Sequence, residues 1–185
     1  MTGGQFKGRI IKTPSGYSSI PRPTLSIARE SVFNILASHF EDFSKLSFLD
    51  MFAGSGIMAL EAYSRGFSKV FAIEKDVKVF CSIKEIYSKI NADINLIKGD
   101  SLKIISKNDE DFDVIYIDPP WDFDYEPILN SAIKKLKKEG ILIVESDKTR
   151  TKKGAKMSCL FNGSEILPFK EKIYGRCKLD FVKLS

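Results

Sequence analysis

Leu46-Ser47-Phe48-Leu49-Asp50-Met51-Phe52-Ala53-Gly54-Ser55-Gly56 is an apolar, strand-like run that breaks at two closely spaced glycines, and residues 55–65 beyond it carry helical spacing up to Gly66. A buried strand that turns through glycine into a helix opens a βαβ unit. The pattern then repeats, with strand-like runs at 69–74, 94–98, 112–118 and 140–145 and helical runs at 76–90 and 125–137. Alternation of this kind favours an α/β, Rossmann-like sheet that is mostly parallel, with helices on both faces and ligands at the carboxyl ends of its strands. The tail differs. Runs at 165–173 and 177–184 are separated by Tyr174-Gly175-Arg176 with no long helix between them, which implies an antiparallel edge hairpin. Upstream, 5–13 reads as a strand or hairpin arm and 14–23 as a turn-rich connector. Thr24 is a plausible N-cap for a helix reaching about residue 40, with Ile27, Ala28, Val32, Phe33, Leu36 and Ala37 at helical spacing. The expected organisation is a small N-terminal arm, 1–23, packed on a single core domain, 24–185.

A chain of 185 residues suits one domain and leaves no room for a second large one. No apolar run reaches membrane-spanning length and the first eleven residues are too polar and basic for a secretory signal, so a soluble, cytoplasmic and monomeric protein is expected. Cys81, Cys159 and Cys177 form no CxxC pair and lack neighbouring histidines; they read as packing residues, and no metal site is expected. The single histidine, His39, falls at a helix end, where a capping or solvated role outweighs catalysis. Any chemistry must therefore proceed without a histidine relay or a metal. The net charge is +5, and its placement is uneven: Lys7, Arg9, Lys12, Arg22 and Arg29 face only Glu30 in the first thirty residues. Such clustering suits phosphate neutralisation. The lysines at 134, 135, 137 and 138 read instead as a solvated helix end.

The glycine loop lets the backbone turn tightly and approach a ligand, while the helix that follows offers unpaired amides. Gly54-x-Gly56-x-x-Ala59 also satisfies a loose dinucleotide fingerprint, so the loop by itself serves several nucleotides. Glu74, at the end of the second strand, is placed to accept from ribose hydroxyls. NAD and S-adenosylmethionine both carry that ribose. Asp50 separates them, because a carboxylate there can hold the amino group of a methionine moiety but would repel a pyrophosphate. Asp100, in Gly99-Asp100-Ser101 after the third strand, is placed to accept from an adenine amine; a helix cap is the plainer role for it.

Asp118-Pro119-Pro120-Trp121 ends the fourth strand. An Asp-Pro step commonly begins a turn, since proline fixes φ and ends central strands. At a strand end on the ligand rim, an acceptor, two rigid prolines and a flat aromatic also suit gripping a planar nucleobase by its exocyclic amine. An NAD oxidoreductase would need a hydride-handling residue and a substrate domain. A non-catalytic RNA-binding module would not account for the cofactor rim.

Nearly the whole chain resembles the bacterial ribosomal RNA small-subunit methyltransferase D family. The resemblance runs through Gly3-Gly4, Gly8-Arg9, Arg22-Pro23-Thr24, Arg29-Glu30, Phe33-Asn34, the loop 50–56, Glu61-Ala62, Ser64-Arg65-Gly66, Glu74, Asp118-Pro119-Pro120 and Tyr174-Gly175. It implies a class I methyltransferase sheet, S-adenosylmethionine as cofactor with S-adenosylhomocysteine as product, and N2-methylation of 16S ribosomal RNA at the guanine numbered 966. By the same resemblance Asp50, Phe52, Ala53, Gly54, Ser55, Gly56, Glu74, Lys75, Asp100, Ser101 and Asp118 hold the cofactor. Asp118, Pro119, Pro120 and Trp121 hold the base, and Lys7, Arg9, Arg22, Thr24 and Arg29 meet RNA. The family usually closes the proline motif with Tyr or Phe. Here it is Trp121, and tryptophan also occurs at this place in amino-methyltransferases of DNA and messenger RNA, so an adenine-N6 methyltransferase acting on DNA or another RNA is the competing reading.

Overall fold

The computed structural model describes residues 1–12, 23–120, 124–147, 159–161 and 164–184. Its elements are α1 (Pro23–Ala37), β1 (Ser47–Asp50), α2 (Ile57–Ser64), β2 (Lys69–Glu74), α3 (Val77–Lys89), β3 (Asn95–Lys98), α4 (Ser101–Ile105) and β4 (Phe112–Ile117). These are followed by α5 (Tyr125–Ile133), β5 (Leu136–Asp147), β6 (Cys159–Phe161), β7 (Ser164–Ile166), β8 (Lys170–Tyr174) and β9 (Cys177–Lys183). Seven strands form one sheet in the order β3-β2-β1-β4-β5-β9-β8. The five strands from β3 to β5 run parallel, and β9 and β8 close the edge as the expected antiparallel hairpin. Reversal of strand order between β1 and β4 opens a crevice at their carboxyl ends.

Two apolar layers sandwich the sheet. One gathers Val32, Phe33 and Leu36 of α1 with Ala59, Leu60 and Ala62 of α2, together with Phe48 and Tyr116. Phe33 stacks on Phe48 with ring centroids 6.0 Å apart, and Phe67 meets Phe48 edge-on at 5.3 Å. The other gathers Leu49, Ile115, Ile117, Leu142 and Val144 with Ile128, Leu129 and Ala132 of α5. Each large apolar side chain buried in this way contributes about 1.5–3 kcal/mol. β1 and β4 are therefore held from both faces, which fixes the loops that leave their carboxyl ends.

Several local expectations are corrected. The segment 5–13 was expected as a strand or hairpin, but among its described residues there is none: Gly4–Phe6 form a 3-10 turn. Gly4, just before the segment, accounts for this. Gly4 has φ +69°, and a Cβ there would sit 1.7 Å from the Ser64 carbonyl oxygen, so the arm folds flat against the end of α2 and buries Phe6. Thr24 does not cap α1. The helix begins at Pro23, whose fixed φ and missing N–H suit the first helical position. It also ends at Ala37 instead of near 40, and His39 Nδ1 lies 2.9 Å from the Ile35 carbonyl, a capping contact as expected. The helix expected to 137 stops at Ile133, and Lys137 and Lys138 belong to β5. That strand begins four residues early because a bulge near Asp113 accommodates Lys137-Lys138-Glu139, with Glu139 at φ +66°. The run 165–173 is split between β7 and β8; β6 and β7 form a separate two-stranded ladder. Cys81 is exposed on α3, whereas Cys177 packs in the core. The connector 14–22 lies outside the described residues.

Candidate active site

Phe48↔Val114 and Asp50↔Tyr116 set the register of β1 against β4, and Ile117↔Val144 sets β4 against β5. This register delivers Asp50, Asp118 and Glu145 to one end of the sheet, with Glu74 beside them at the end of β2. A cleft of about 850 Å³ opens there, lined by residues that include Asp50, Phe52–Ser55, Glu74, Lys75, Asp100, Ser101, Asp118, Pro119, Pro120 and Glu145. Nearly all of the expected cofactor and base positions thus share one cleft; Gly56 lies just behind it, and Trp121 falls outside the described residues.

The glycine loop is built by contacts that the sequence explains. Gly54 (φ +53°) and Gly56 (φ +74°) take the left-handed conformation that glycine adopts without steric cost. Gly56 also has no room for a side chain, since a Cβ would lie 2.9 Å from both Ile83 and the Tyr87 hydroxyl, which donates to the Gly56 carbonyl at 2.7 Å. α2 starts directly after this residue, with its first amides facing the loop. Glu74 braces the loop from β2: its Oε2 accepts from Gly54 N at 2.9 Å and its Oε1 from Asp76 N at 2.8 Å. Each carboxylate oxygen has a further lone pair for a ligand hydroxyl.

Asp50 is almost wholly buried, at 1% exposure. Oδ1 accepts from Phe52 N at 3.2 Å, while Oδ2 has no partner. Burial, with smaller contributions from the facing Glu74 and Glu145 charges, pushes the carboxyl up to about 7 against the backbone amides of Phe52 and Ala59. A buried, unpartnered carboxylate oxygen on a cleft wall is costly unless a ligand supplies a cation or a donor. Here the residues fit a ligand that carries an ammonium group.

Asp118 is open to solvent on the cleft side, yet protein encloses it elsewhere. Burial, then the charges of Glu145 and Asp50, raise its carboxyl well above the ordinary range; access to solvent moderates that shift without reversing it. Pro119 beside it is buried and Pro120 exposed. Tyr116 donates its hydroxyl to Glu145 Oε2. Burial and the same carboxylates hold that phenol protonated, its titration raised well above 10.0. Glu145 was missed in the sequence, although it ends the fifth expected strand and the strand-end argument that selected Asp50 and Glu74 applies to it equally.

Asp100 caps α4 and pairs with Lys75 Nζ at 3.2 Å; hydrogen bonding from Lys75 lowers its carboxyl. Ser101 donates its hydroxyl to the Met51 carbonyl, tying α4 to the end of β1. Arg29 does not pair along its own helix with Glu30. Its Nε lies 3.4 Å from Glu61 Oε2 on α2, its side chain is 13% exposed, and it forms part of the cleft wall. Lys7 and Arg9 are exposed on the arm, with the Arg9 guanidinium 5.1 Å above the Phe6 ring. Arg22 falls outside the described residues, as does the side chain of Thr24.

A 3-2-1-4-5 parallel sheet closed by an antiparallel hairpin, with a glycine loop, an acidic second-strand end and an Asp-Pro-Pro segment on one rim, defines a class I methyltransferase. The sequence profile of the family described as conserved hypothetical protein 95 matches residues 1–183. The chain belongs to that family. Ribosomal RNA small subunit methyltransferase D of Buchnera aphidicola (subsp. Acyrthosiphon pisum) is 31% identical over 160 residues, spanning 80% of this chain and 78% of that protein. The protein of the same name from Escherichia coli K12 is 30% identical over 145 residues, 78% of this chain and 69% of its own length. Among solved structures, the Escherichia coli protein yhhF, provisionally assigned as a methyltransferase, superimposes with a TM-score of 0.80 at 25% identity, covering 98% of this chain and 95% of that one. Among the described residues no helix is long and apolar enough to cross a membrane.

Proposed function

We propose that this methyltransferase uses S-adenosylmethionine to methylate the exocyclic N2 of a guanine in 16S ribosomal RNA, the guanine numbered 966. One observation carries the reading: the Asp118-Pro119-Pro120 segment lines the same cleft as the unpartnered Asp50 oxygen, the glycine loop and Glu74. The names of the relatives supply the RNA.

Asp50 would take the methionine ammonium on Oδ2, and Glu74 would accept from the ribose hydroxyls with the lone pairs that Gly54 and Asp76 leave open. Phe52 and Ile73 would border the adenosine end, with Asp100 and Ser101 beside it on the cleft wall. The cofactor supplies an electrophilic methyl on a cationic sulfur. Asp118 and the Pro119 carbonyl accept the two N2 protons of a guanine flipped out of its stack, because a stacked base edge is out of reach. Those bonds aim the nitrogen lone pair into the cleft. With the cofactor bound, N2 would take its methyl group as the carbon–sulfur bond breaks and leaves its electron pair on sulfur, and Asp118 would accept the proton that N2 loses. Positioning supplies most of the acceleration, since the leaving group is a neutral thioether. Trp121, next in sequence, is the stacking aromatic in this reading, and Lys7, Arg9, Arg22 and Arg29 serve the RNA side.

The test is to map methyl groups in ribosomal RNA from cells with the gene, without it, and with Asp118→Ala. N2-methylguanine should disappear from one small-subunit position in the last two, while purified Asp118→Ala still binds S-adenosylmethionine. Loss of N6-methyladenine instead, or full methylation by the variant, would overturn the proposal.

A further inference from the structure

Glu145 leaves β5 level with Asp118 at the end of β4, one position beyond the paired residues Ile117 and Val144. Two groups fix its carboxylate from the sheet side: the Tyr116 hydroxyl donates to Oε2, and the Cys177 thiol also hydrogen-bonds the carboxylate. The cleft side is left to a ligand, and Glu145 lines the cleft together with Asp118, Pro119 and Pro120. An ionised carboxylate only accepts, so with both acids ionised this corner presents two neighbouring acceptors. Like charges so placed repel one another until a ligand brings donors or positive charge between them.

Among the common bases, guanine alone places two donors side by side on its Watson–Crick edge, N1–H next to the N2 amine. Adenine and cytosine set a ring lone pair beside their amine, and uracil flanks its single N–H with carbonyls. We propose that Glu145 determines specificity by accepting the guanine N1–H while Asp118 accepts from N2. This inference rests on the proposed function and deepens it. An adenine amine offered to Asp118 would turn its N1 lone pair against the Glu145 carboxylate, so the pair of acids rejects adenine as well as selecting guanine. The N1–H bond also shifts electron density toward the amidine nitrogens, which makes N2 a better nucleophile. Tyr116 and Cys177 act through Glu145 by holding it in line.

The experiment compares 16S RNA carrying guanine with RNA carrying 2-aminopurine at the position mapped above. The analogue retains the N2 amine and replaces N1–H by a lone pair. Wild-type enzyme should prefer guanine in kcat/KM by about tenfold to a hundredfold, the range expected for a hydrogen bond to a charged group. Glu145→Gln can donate its amide to the analogue, so its preference should collapse toward unity, whereas Glu145→Asp, which keeps the acceptor, should retain it. Binding of S-adenosylmethionine by calorimetry reports whether each variant folds. Equal use of both bases by wild type, or an unchanged ratio in a folded Glu145→Gln, overturns the role of Glu145 while leaving the methyltransferase reading intact. An absence of guanine methylation altogether overturns that reading first. Should Glu145→Gln fail to fold, the wild-type ratio decides alone.

Discussion

If Asp50 holds the methionine ammonium, as proposed, cofactor binding depends on pH. Its carboxyl, lifted to about 7 by burial, must ionise to receive an ammonium group. The groups facing it are Glu74 and Glu145, whose charges push in the same upward direction. With a folded value near 7, the ionised fraction is about three-quarters at pH 7.5 and about one-tenth at pH 6.0, so affinity should fall about eightfold between them. Stability runs the other way. The folded value is raised above the unfolded 3.8, so the native state binds the extra proton between these values, and stability is lost as pH rises from about 4 to about 7. The loss is about 4 kcal/mol in the empty protein, from about 1.4 kcal/mol per pH unit. Asp50→Asn should therefore melt higher than wild type at pH 8 while binding S-adenosylmethionine about tenfold to a hundredfold more weakly, with no change between pH 6.0 and 7.5. Calorimetric titration and thermal melts at both pH values test the two halves together. A wild-type affinity that is flat over this range would refute the assignment of Asp50 to the ammonium group.

Glu61→Ala should lower stability by about 3–5 kcal/mol, or about 10 °C in melting temperature, because it strands two partly buried arginines. Differential scanning calorimetry reads this directly, and a change under about 1 kcal/mol would show that the arm is held by Phe6 instead. Replacing Lys7 and Arg9 by Ala should weaken RNA binding and flatten its dependence on salt by about one unit of slope for each phosphate no longer neutralised. Filter binding at several salt concentrations measures it; an unchanged slope removes the arm from the RNA surface.

The parallel core was legible because hydrophobic runs and glycine breaks are local. β2 matched its expected bounds, and β1, β3 and β4 fell within a few residues of theirs. The N-terminal arm was not legible, since its shape depends on Ser64 and Glu61 about sixty residues away: Ser64 Oγ donates to the Gly3 carbonyl at 2.7 Å and accepts from Phe6 N at 2.9 Å. The long β5 was hidden for a similar reason. Lys137 and Lys138 read as a solvated helix end in isolation, whereas the neighbouring Asp113, which takes Lys137 Nζ at 2.8 Å, draws them into the sheet. In the site, Asp50 and Glu74 were selected because strand ends mark ligand rims in α/β sheets, and both line the cleft. Glu145 obeys that rule too, but nothing around it in sequence resembles a motif, and its meaning comes from standing level with Asp118.

Glu61 joins the two halves of the proposed reaction. Its buried carboxylate accepts from Thr2 N at 2.9 Å, from Thr2 Oγ1 at 2.6 Å and from Arg65 Nε at 2.9 Å, and its other neighbour, Arg29, forms part of the cleft wall. Burial alone would raise this carboxyl, but the Thr2 and Arg65 hydrogen bonds outweigh it, and the group stays ionised at neutral pH. The basic arm is thus pinned by the same charge that positions a cationic wall residue of the cleft. Removing the arm would withdraw the Thr2 donors, leave the Glu61 charge less satisfied, and shift Arg29 toward it and away from the cleft. A truncation would then reduce both RNA affinity and turnover, and could not separate the two. Lys7 and Arg9 are the informative positions, because they are exposed and stand apart from the Glu61 hydrogen bonds: their replacement should alter RNA binding and leave S-adenosylmethionine affinity unchanged.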